Sequence, residues 1–280
     1  MSQGALLIAR NNSEIDYIKQ AVYSAKRIKE FLNIPVSLIT DNKNYLINNY
    51  DYAVFDQIIE VSNDSNYTFR KYNDGTFTRK RLEFKNSSRS SVFDLTPYDE
   101  TLLLDTDFII SNDLFSQCFL QQHDFLLYRN GFELSGWRDL SEFNYISETG
   151  PDFYWATVVF FRKTEVNKLF FDLLKHVQDN WAHYKNLYQI STGVFRNDHA
   201  FSIAIHTMNG YKSGDFAKEM PGTLFYTTDK DLVLKINGNE FLFLIEKETQ
   251  SNQYFPAKIK DSNIHIMNKF SLTRVIDNDN

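Results

Sequence analysis

The first sixty residues alternate strand-length apolar runs with an amphipathic helix, and that alternation commits the chain to an α/β fold built on a parallel sheet. Gly4 to Ala9 is an apolar run that stops at the polar cluster Arg10 to Ser13. Ser13 with Asp16 three residues later resembles a capping box, and Ile15, Ile18, Val22, Ala25, Ile28 and Leu32 recur behind it at helical spacing. Pro35 marks the exit, Val36 to Thr40 reads as a second strand ending at Asp41, and Gln57 to Ser62 as a third. Ligands of such sheets bind outside the carboxyl ends of the strands, which puts Ala9 to Asn12 and Asp41 on the binding edge.

Further along, Asn63 to Arg81 has no clean period and reads as a long surface loop, followed by a helix from Leu82 to about Leu95. Thr101 to Leu104 reads as a buried strand, then come the polar step Asp105-Thr106-Asp107 and the apolar Phe108 to Ile110. A second half holds apolar Phe125 to Tyr128, a polar aromatic stretch from Gly131 to Tyr154, and a strand from Ala156 to Phe161. Thr164 is placed to cap a helix with Val166, Leu169, Phe170, Leu173 and Val177 on one face. Asn237-Gly238, between Leu232 to Ile236 and Phe241 to Ile245, signals a hairpin. No repeat, low-complexity tract or interdomain linker interrupts the chain, so one domain over 1–280 is expected.

Composition narrows the function. With 42% hydrophobic and 24% charged residues, 25 Phe and 16 Tyr, the 280-residue chain is neither disordered nor a coiled coil. Thirty Lys plus Arg against 36 Asp plus Glu, a net charge of -6, argue against a surface built throughout to hold polyanions, though a local basic patch is compatible with it. The single cysteine, Cys118, excludes an intrachain disulfide and any Cys-rich zinc or iron–sulfur site, and favours a reducing, cytoplasmic location. The run Ala5 to Ala9 is too short for a signal-peptide core, and nothing elsewhere approaches the roughly 18 apolar residues of a membrane span, so the chain reads as soluble and unexported. No Gly-rich phosphate loop of the Rossmann or Walker kind is present, which removes the main support for a dinucleotide oxidoreductase or a P-loop kinase.

The informative segment is Leu102-Leu103-Leu104-Asp105-Thr106-Asp107. Two carboxylates at i and i+2, at the mouth of an apolar strand, can converge on one hard divalent cation that also holds phosphate oxygens. A solvated turn closing a strand carries the same pattern, and acid-x-acid recurs at Asp229/Asp231 and Asp277/Asp279; only the first pair follows a buried strand within the α/β pattern.

In this context the order strand, helix with Tyr17 near its start, strand ending in Asp41, basic helix, then Pro97 through Asp107 resembles a GT-A-fold glycosyltransferase, most similar to glycosyltransferase family 8 and its relatives. The resemblance implies a Rossmann-like, mixed but mostly parallel sheet with flanking helices, a nucleotide-binding half over about 1–110 and an acceptor-binding half over about 111–270. It implies that Asp105 and Asp107 bind Mn²⁺ or Mg²⁺, with Asp105 also reaching the UDP-sugar donor. Ile264-His265-Ile266-Met267-Asn268-Lys269 looks like the family's late metal histidine and diphosphate lysine, implying metal binding by His265 and donor contacts from Asn268 and Lys269. By alternation His265 points off the apolar face of its strand, as an ordinary strand histidine bonded to a carboxylate also would. Ala9, Arg10, Asn11 and Tyr17 resemble the nucleobase and ribose site. Lys85 and Arg89, four apart on one expected helical face and 20 and 16 residues before Asp105, match a base reaching the donor, or form a solvated face. Asp198, in Arg196-Asn197-Asp198-His199-Ala200, matches an acid beside the anomeric carbon, and equally a helix N-terminal residue; His199 and His206 read as packing or surface residues.

The implied reaction moves a sugar from a nucleoside diphosphate to an acceptor hydroxyl. Family 8 enzymes retain anomeric configuration, which would make Asp198 a stabiliser of positive charge; an inverting enzyme would use it as a base. Trp137, Tyr145, Phe153, Tyr154 and Trp155 offer either an acceptor surface or core. Arg70, Lys71, Arg79, Lys80, Arg81, Lys85 and Arg89 make a basic stretch beside the expected site, and nucleic acid carrying a hydroxylated base, as in viral DNA-modifying enzymes, is one candidate acceptor. Two other readings stand beside this one. A haloacid-dehalogenase-type phosphatase shares the strand-then-DxD motif, with Gly214-Asp215 and Glu219 as its later acids, and a non-catalytic nucleotide-sugar-binding protein would keep the same residues.

Overall fold

The computed structural model describes residues 1–62, 67–85, 89–138, 141–148, 150–247 and 253–278. Its first half runs β1 (Gln3–Ile8), α1 (Tyr17–Leu32), β2 (Val36–Thr40), α2 (Lys43–Asn49), β3 (Gln57–Glu60), β4 (Thr68–Asp74), β5 (Thr78–Phe84), α3 (Val92–Leu95), β6 (Glu100–Leu104) and β7 (Phe108–Ile109). The second runs β8 (Phe125–Tyr128), β9 (Gly131–Glu133), β10 (Trp155–Arg162), α4 (Glu165–Asp179), α5 (Trp181–Leu187), α6 (Asn197–Met208), β11 (Lys218–Glu219), β12 (Leu224–Thr227), β13 (Leu232–Asn237), β14 (Glu240–Glu246), β15 (Tyr254–Lys260), β16 (Ile264–Ile266) and α7 (Lys269–Asn278).

Seven strands form the central sheet in the order β11-β8-β10-β6-β1-β2-β3. The pairs β6/β1, β1/β2, β2/β3 and β11/β8 are parallel, while β10 runs antiparallel to both neighbours, so the sheet is mixed and mostly parallel as expected. Every residue of β6 and β2 is buried, which is what a strand covered on both faces requires. The carboxyl ends of β1, β2 and β6 therefore share one edge with the amino end of β10. A second sheet, β7-β16-β12-β9, starts at Phe108, after the three residues that follow Leu104, and lays His265 opposite Phe108. The Asn237-Gly238 hairpin forms as predicted, joining β13 to β14 with Gly238 at a φ of 56°.

Four expectations are corrected. The cap of α1 is Asp16, whose carboxylate accepts from the Lys19 N–H; Ser13 lies outside the helix. The expected loop over 63–81 and helix over 82–95 are instead, within the described residues, an antiparallel ribbon of β4 and β5 and a four-residue helix. Its buried residues, Tyr72 on one strand and Leu82 and Phe84 on the other, are too few and too mixed with bases to show the period-2 signal. On α4 the buried face is Asn167, Phe170, Phe171, Leu174 and Val177, leaving Val166 and Leu169 more than half exposed. The Asn167 amide donates to the carbonyls of Asp124 and Arg162 at 2.8 and 2.9 Å, which turns that face inward. Within the aromatic stretch, Phe153 and Trp155 are core, whereas Trp137 and Tyr145 are half exposed.

One buried ion cluster ties the second sheet to the β13–β15 layer. Arg138, with 4% of its side chain exposed, bridges Glu133 and Asp231, so the Asp229/Asp231 pair is structural: Asp229 in turn accepts from Asn73. Asp279 of the third acid pair lies outside the described residues. Arg138→Met leaves two buried carboxylates without their cation and is expected to lower the unfolding free energy by about 3–5 kcal/mol in urea titration. A loss under about 1 kcal/mol contradicts the role given to this cluster.

Candidate active site

Asp105 and Asp107 sit where β6 ends. The Asp105 N–H donates to the Thr157 carbonyl of β10 at 2.9 Å, and the Phe108 N–H donates back to the Asp105 carbonyl at 3.1 Å, closing a turn that presents both carboxylates on the shared edge. The Ile266 N–H donates to the Asp107 carbonyl at 2.9 Å, which brings β16 and His265 alongside. One potential ligand atom from each of Asp105, Asp107 and His265 lies within 4.8 Å of the others.

Each carboxylate meets a cation. Lys269 Nζ donates to Asp107 Oδ2 at 2.6 Å, and His265 Nε2 lies 3.3 Å from the same oxygen. Arg89, buried, donates to Asp105 Oδ1 and to the Ala156 carbonyl. Burial opposes ionisation of Asp107, but Lys269 and His265 outweigh it and hold its carboxyl well below the usual range. Lys269 is reciprocally raised: burial disfavours its charge, and Asp107 overcomes that. Burial pushes Asp105 upward against Arg89, with Asp107 adding repulsion; the 38% of its side chain still open to solvent softens that push. The second oxygen of each carboxylate has no hydrogen-bond partner among the described residues.

Asp198 opens α6 but does not cap it. Its Oδ1 accepts from the Ala156 N–H at 3.0 Å and its Oδ2 from Arg196 at 3.2 Å. Burial works against its charge, and Arg196 with the Ala156 N–H keeps it low all the same. Ala156 thus touches both acids, Asp198 through its N–H and Asp105 through the Arg89 that its carbonyl holds. His199 beside it is pushed down to about 4 by burial and by Arg196, and stacks on Trp181 as a packing residue.

The remaining sequence candidates divide. Arg10 donates to Asp41 at 3.1 Å and to the Lys85 carbonyl at 3.1 Å, so these three meet at the ends of β1 and β2; Lys85 Nζ itself lies 3.7 Å from Glu83. Because Lys85 follows a strand and Arg89 starts a short helical turn, the two do not share the helical face expected of them; residues 86–88 between them lie outside the described residues. Asn11 accepts from the Ile18 N–H and donates to Asp16, bracing the start of α1, and buried Ala9 donates its N–H to Ile39. Fully buried Asn268 accepts from the Ser271 N–H and donates to the Asp231 carbonyl, which engages both ends of its amide in structure. Tyr17 is buried with its hydroxyl 3.2 Å from that of Tyr72; burial first, then Tyr72 and the Asp107 charge, keep it a neutral phenol.

Two contributors, Tyr72 and Thr157, escaped the sequence reading, and Arg70 was named only as part of the basic stretch. Tyr72 and Arg70 come from the ribbon taken for a loop, with Arg70 donating to the Phe195 carbonyl at 2.9 Å and lying over the Phe84 ring; only alternation on β4 could have shown that they share a face. Thr157, 3.5 Å from His265 Nδ1, gave no signal inside an apolar strand. The acids that would serve a phosphatase do not join the triad: Asp215 is exposed and paired with Lys218, and Glu219 lies on the edge strand β11. Burial pushes the Cys118 thiol up to about 12, leaving it an apolar packing group. Among the described residues no helix is long and apolar enough to cross a membrane.

No protein-family model matches the sequence, and no curated protein does. Among solved structures, the glycosyltransferase GlyE of Streptococcus pneumoniae TIGR4 is similar over 78% of this chain, at 12% identity and a TM-score of 0.41. The galactosyltransferase LgtC, in complex with donor and acceptor sugar analogs, is similar over 72% of this chain and 70% of its own, at 11% identity and a TM-score of 0.46. The chain spans 45% of the length of GlyE.

The Asp107–Lys269 contact makes stability depend on pH. Because the folded carboxyl titrates below its unfolded value, the stabilisation is complete above about pH 4 and is lost as pH falls towards the folded value. In metal-free buffer, the difference in unfolding free energy between the protein and Lys269→Met is therefore expected to narrow between about pH 4 and about pH 2. A difference that stays constant across that window contradicts the contact.

Proposed function

We propose that the protein is a metal-dependent glycosyltransferase of GT-A type that moves a sugar from a nucleoside diphosphate sugar, UDP-linked by the sequence resemblance, to an acceptor hydroxyl. The observation that carries this reading is the convergence of Asp105, Asp107 and His265 at the end of β6, flanked by Arg89 and Lys269. Two carboxylates and one imidazole are a donor set that suits Mn²⁺ or Mg²⁺. Free second oxygens on both acids fit that use. A divalent cation held there supplies charge neutralisation to a departing diphosphate.

The chain's own residues do the rest. Arg89 and Lys269 neutralise the two carboxylates, so the resting site is close to balanced; a dication brings two further positive charges, which a diphosphate diester matches. Lys269, charged and next to Asp107, is placed to donate to diphosphate oxygens as negative charge grows on the leaving group. Asp198, kept ionised by Arg196 and the Ala156 N–H, offers a buried negative charge to face the developing positive charge of the sugar or to accept the acceptor's proton. The reading takes the sheet edge of 1–110 as the donor side and the 111–270 half as the acceptor side.

Purified protein with a panel of UDP-sugars is expected to release UDP with Mn²⁺ or Mg²⁺ and not with EDTA. Asp107→Ala is expected to lower the rate at least about 100-fold, and Lys269→Met by about 100- to 1,000-fold. Phosphate release from a simple phosphoester, with no UDP release from any donor, overturns the reading.

A further inference from the structure

The β4–β5 ribbon has two unlike faces. One looks into the molecule and carries Arg70 and Tyr72 towards the site together with Leu82 and Phe84. The other carries Phe69, Lys71 and Asn73 on β4 and Arg79, Arg81 and Glu83 on β5, with Tyr67 just before the ribbon and Phe77 in its turn, so three bases and three rings share it with one acid. Between Tyr67 and Lys85 the chain holds six bases against two acids, although its total charge is -6.

Half of those bases are accounted for within the molecule. Lys80 pairs with Glu14, Lys85 with Glu83, and Arg70 is held over Phe84. Lys71, Arg79 and Arg81 are exposed and have no ion-pair partner among the described residues. Lys71 lies directly across the ribbon from Arg81, and Asn73 across from Arg79. Like charges directly opposed on a two-stranded ribbon destabilise it, so folding alone does not explain this arrangement. A polyanion does.

The rings narrow the polyanion. Phe77 is 80% exposed, Phe69 and Tyr67 are 44% and 43% exposed with their rings 5.5 Å apart edge to face, and the Arg81 guanidinium lies 4.8 Å over Phe69. Cation and ring thus make one mixed surface, on which phosphates meet the bases of the protein while nucleobases stack. An anionic membrane fits less well: inserting Phe69 would carry the stacked Arg81 into the lipid, which leaves Phe77 as the one freely insertable ring.

We propose that the outward face of the β4–β5 ribbon binds a nucleic-acid strand, through Lys71, Arg79 and Arg81 to phosphates and through Phe69, Tyr67 and Phe77 to bases. Binding there does not rest on the glycosyltransferase reading. The strand lies across the ribbon from Tyr72, whose hydroxyl meets that of Tyr17.

Fluorescence anisotropy with a labelled single strand of about 20 nucleotides, using the full chain and no sugar donor, tests the face without turnover. Three phosphate contacts predict an affinity loss of about 20-fold between about 50 mM and 200 mM salt. The variant K71Q/R79Q/R81Q, whose folding is checked by circular dichroism, is expected to bind at least about 10-fold more weakly with a flatter salt response. F69A/F77A is expected to weaken the single strand more than the matching duplex. Absence of binding at the lower salt, or equal binding by the triple variant, overturns the proposal. So does binding to phosphatidylserine vesicles that an excess of the oligonucleotide does not displace. UDP binding measured on the triple variant separates the two readings, since its Asp105, Asp107, His265 and Lys269 are untouched.

Discussion

An ionised carboxylate at the end of a strand buried on both faces is costly unless cations and hydrogen bonds meet it there. This chain places two within three residues, Asp105 and Asp107, directly after the wholly buried β6. Much of the architecture beyond the central sheet serves to meet them. Arg89 comes from the turn that precedes α3, and Lys269 comes from the first turn of the last helix, 162 residues away in sequence. His265 arrives on β16, which is held in register by β7, so the second sheet is the frame that returns the C-terminal residues to the first sheet's edge. Gln20 of α1 then donates to the Lys269 carbonyl and to Thr273, which fixes α7 against the helix that covers the parallel strands.

The balance so reached is local and complete in charge: two acids, two permanent cations and one imidazole. It offsets the repulsion between the acids unequally: despite burial, Lys269 and His265 hold Asp107 low, while burial and the Asp107 charge push Asp105 upward against Arg89. It also assigns a use to the imbalance that ligands would bring. A dication alone adds charge to a neutral cluster, and a diphosphate alone meets two carboxylates; together they restore neutrality. On the proposed reading, Arg89 and Lys269 would then donate to the ligand; in the structure they are partners of the protein's own acids.

Sequence periodicity carried the sheet well where burial was total. β1, β2, β6 and β10 are mostly apolar runs, and Asn237-Gly238 joins β13 to β14 as a turn that needs a positive φ. Asp105, Asp107 and His265 were legible because strand ends and alternation place them, and the structure brings their ligand atoms together. The ribbon was not legible, since its inward side mixes Arg70 and Tyr72 with Leu82 and Phe84, and a half-polar two-stranded element has no apolar alternation to read. Arg89 was named for a helical face that does not exist; its buried place beside Asp105 depends on the fold of residues far from it, including the Ala156 carbonyl. Asn268 was named as a ligand contact, but a side chain whose donor and acceptor both close on backbone groups of neighbouring elements cannot be told from one that faces a ligand by residue type alone.

The central claim is that Asp105, Asp107 and His265 hold a divalent cation together with a nucleoside diphosphate, and not the cation alone. Electron paramagnetic resonance of Mn²⁺ titrated into the protein, with and without saturating UDP, tests this directly by reading the free ion. The account predicts weak binding of Mn²⁺ by itself, binding at least about 10-fold tighter with UDP present, and loss of that gain in Asp107→Ala. Mn²⁺ affinity that UDP leaves unchanged, or a gain that survives in Asp107→Ala, would contradict it.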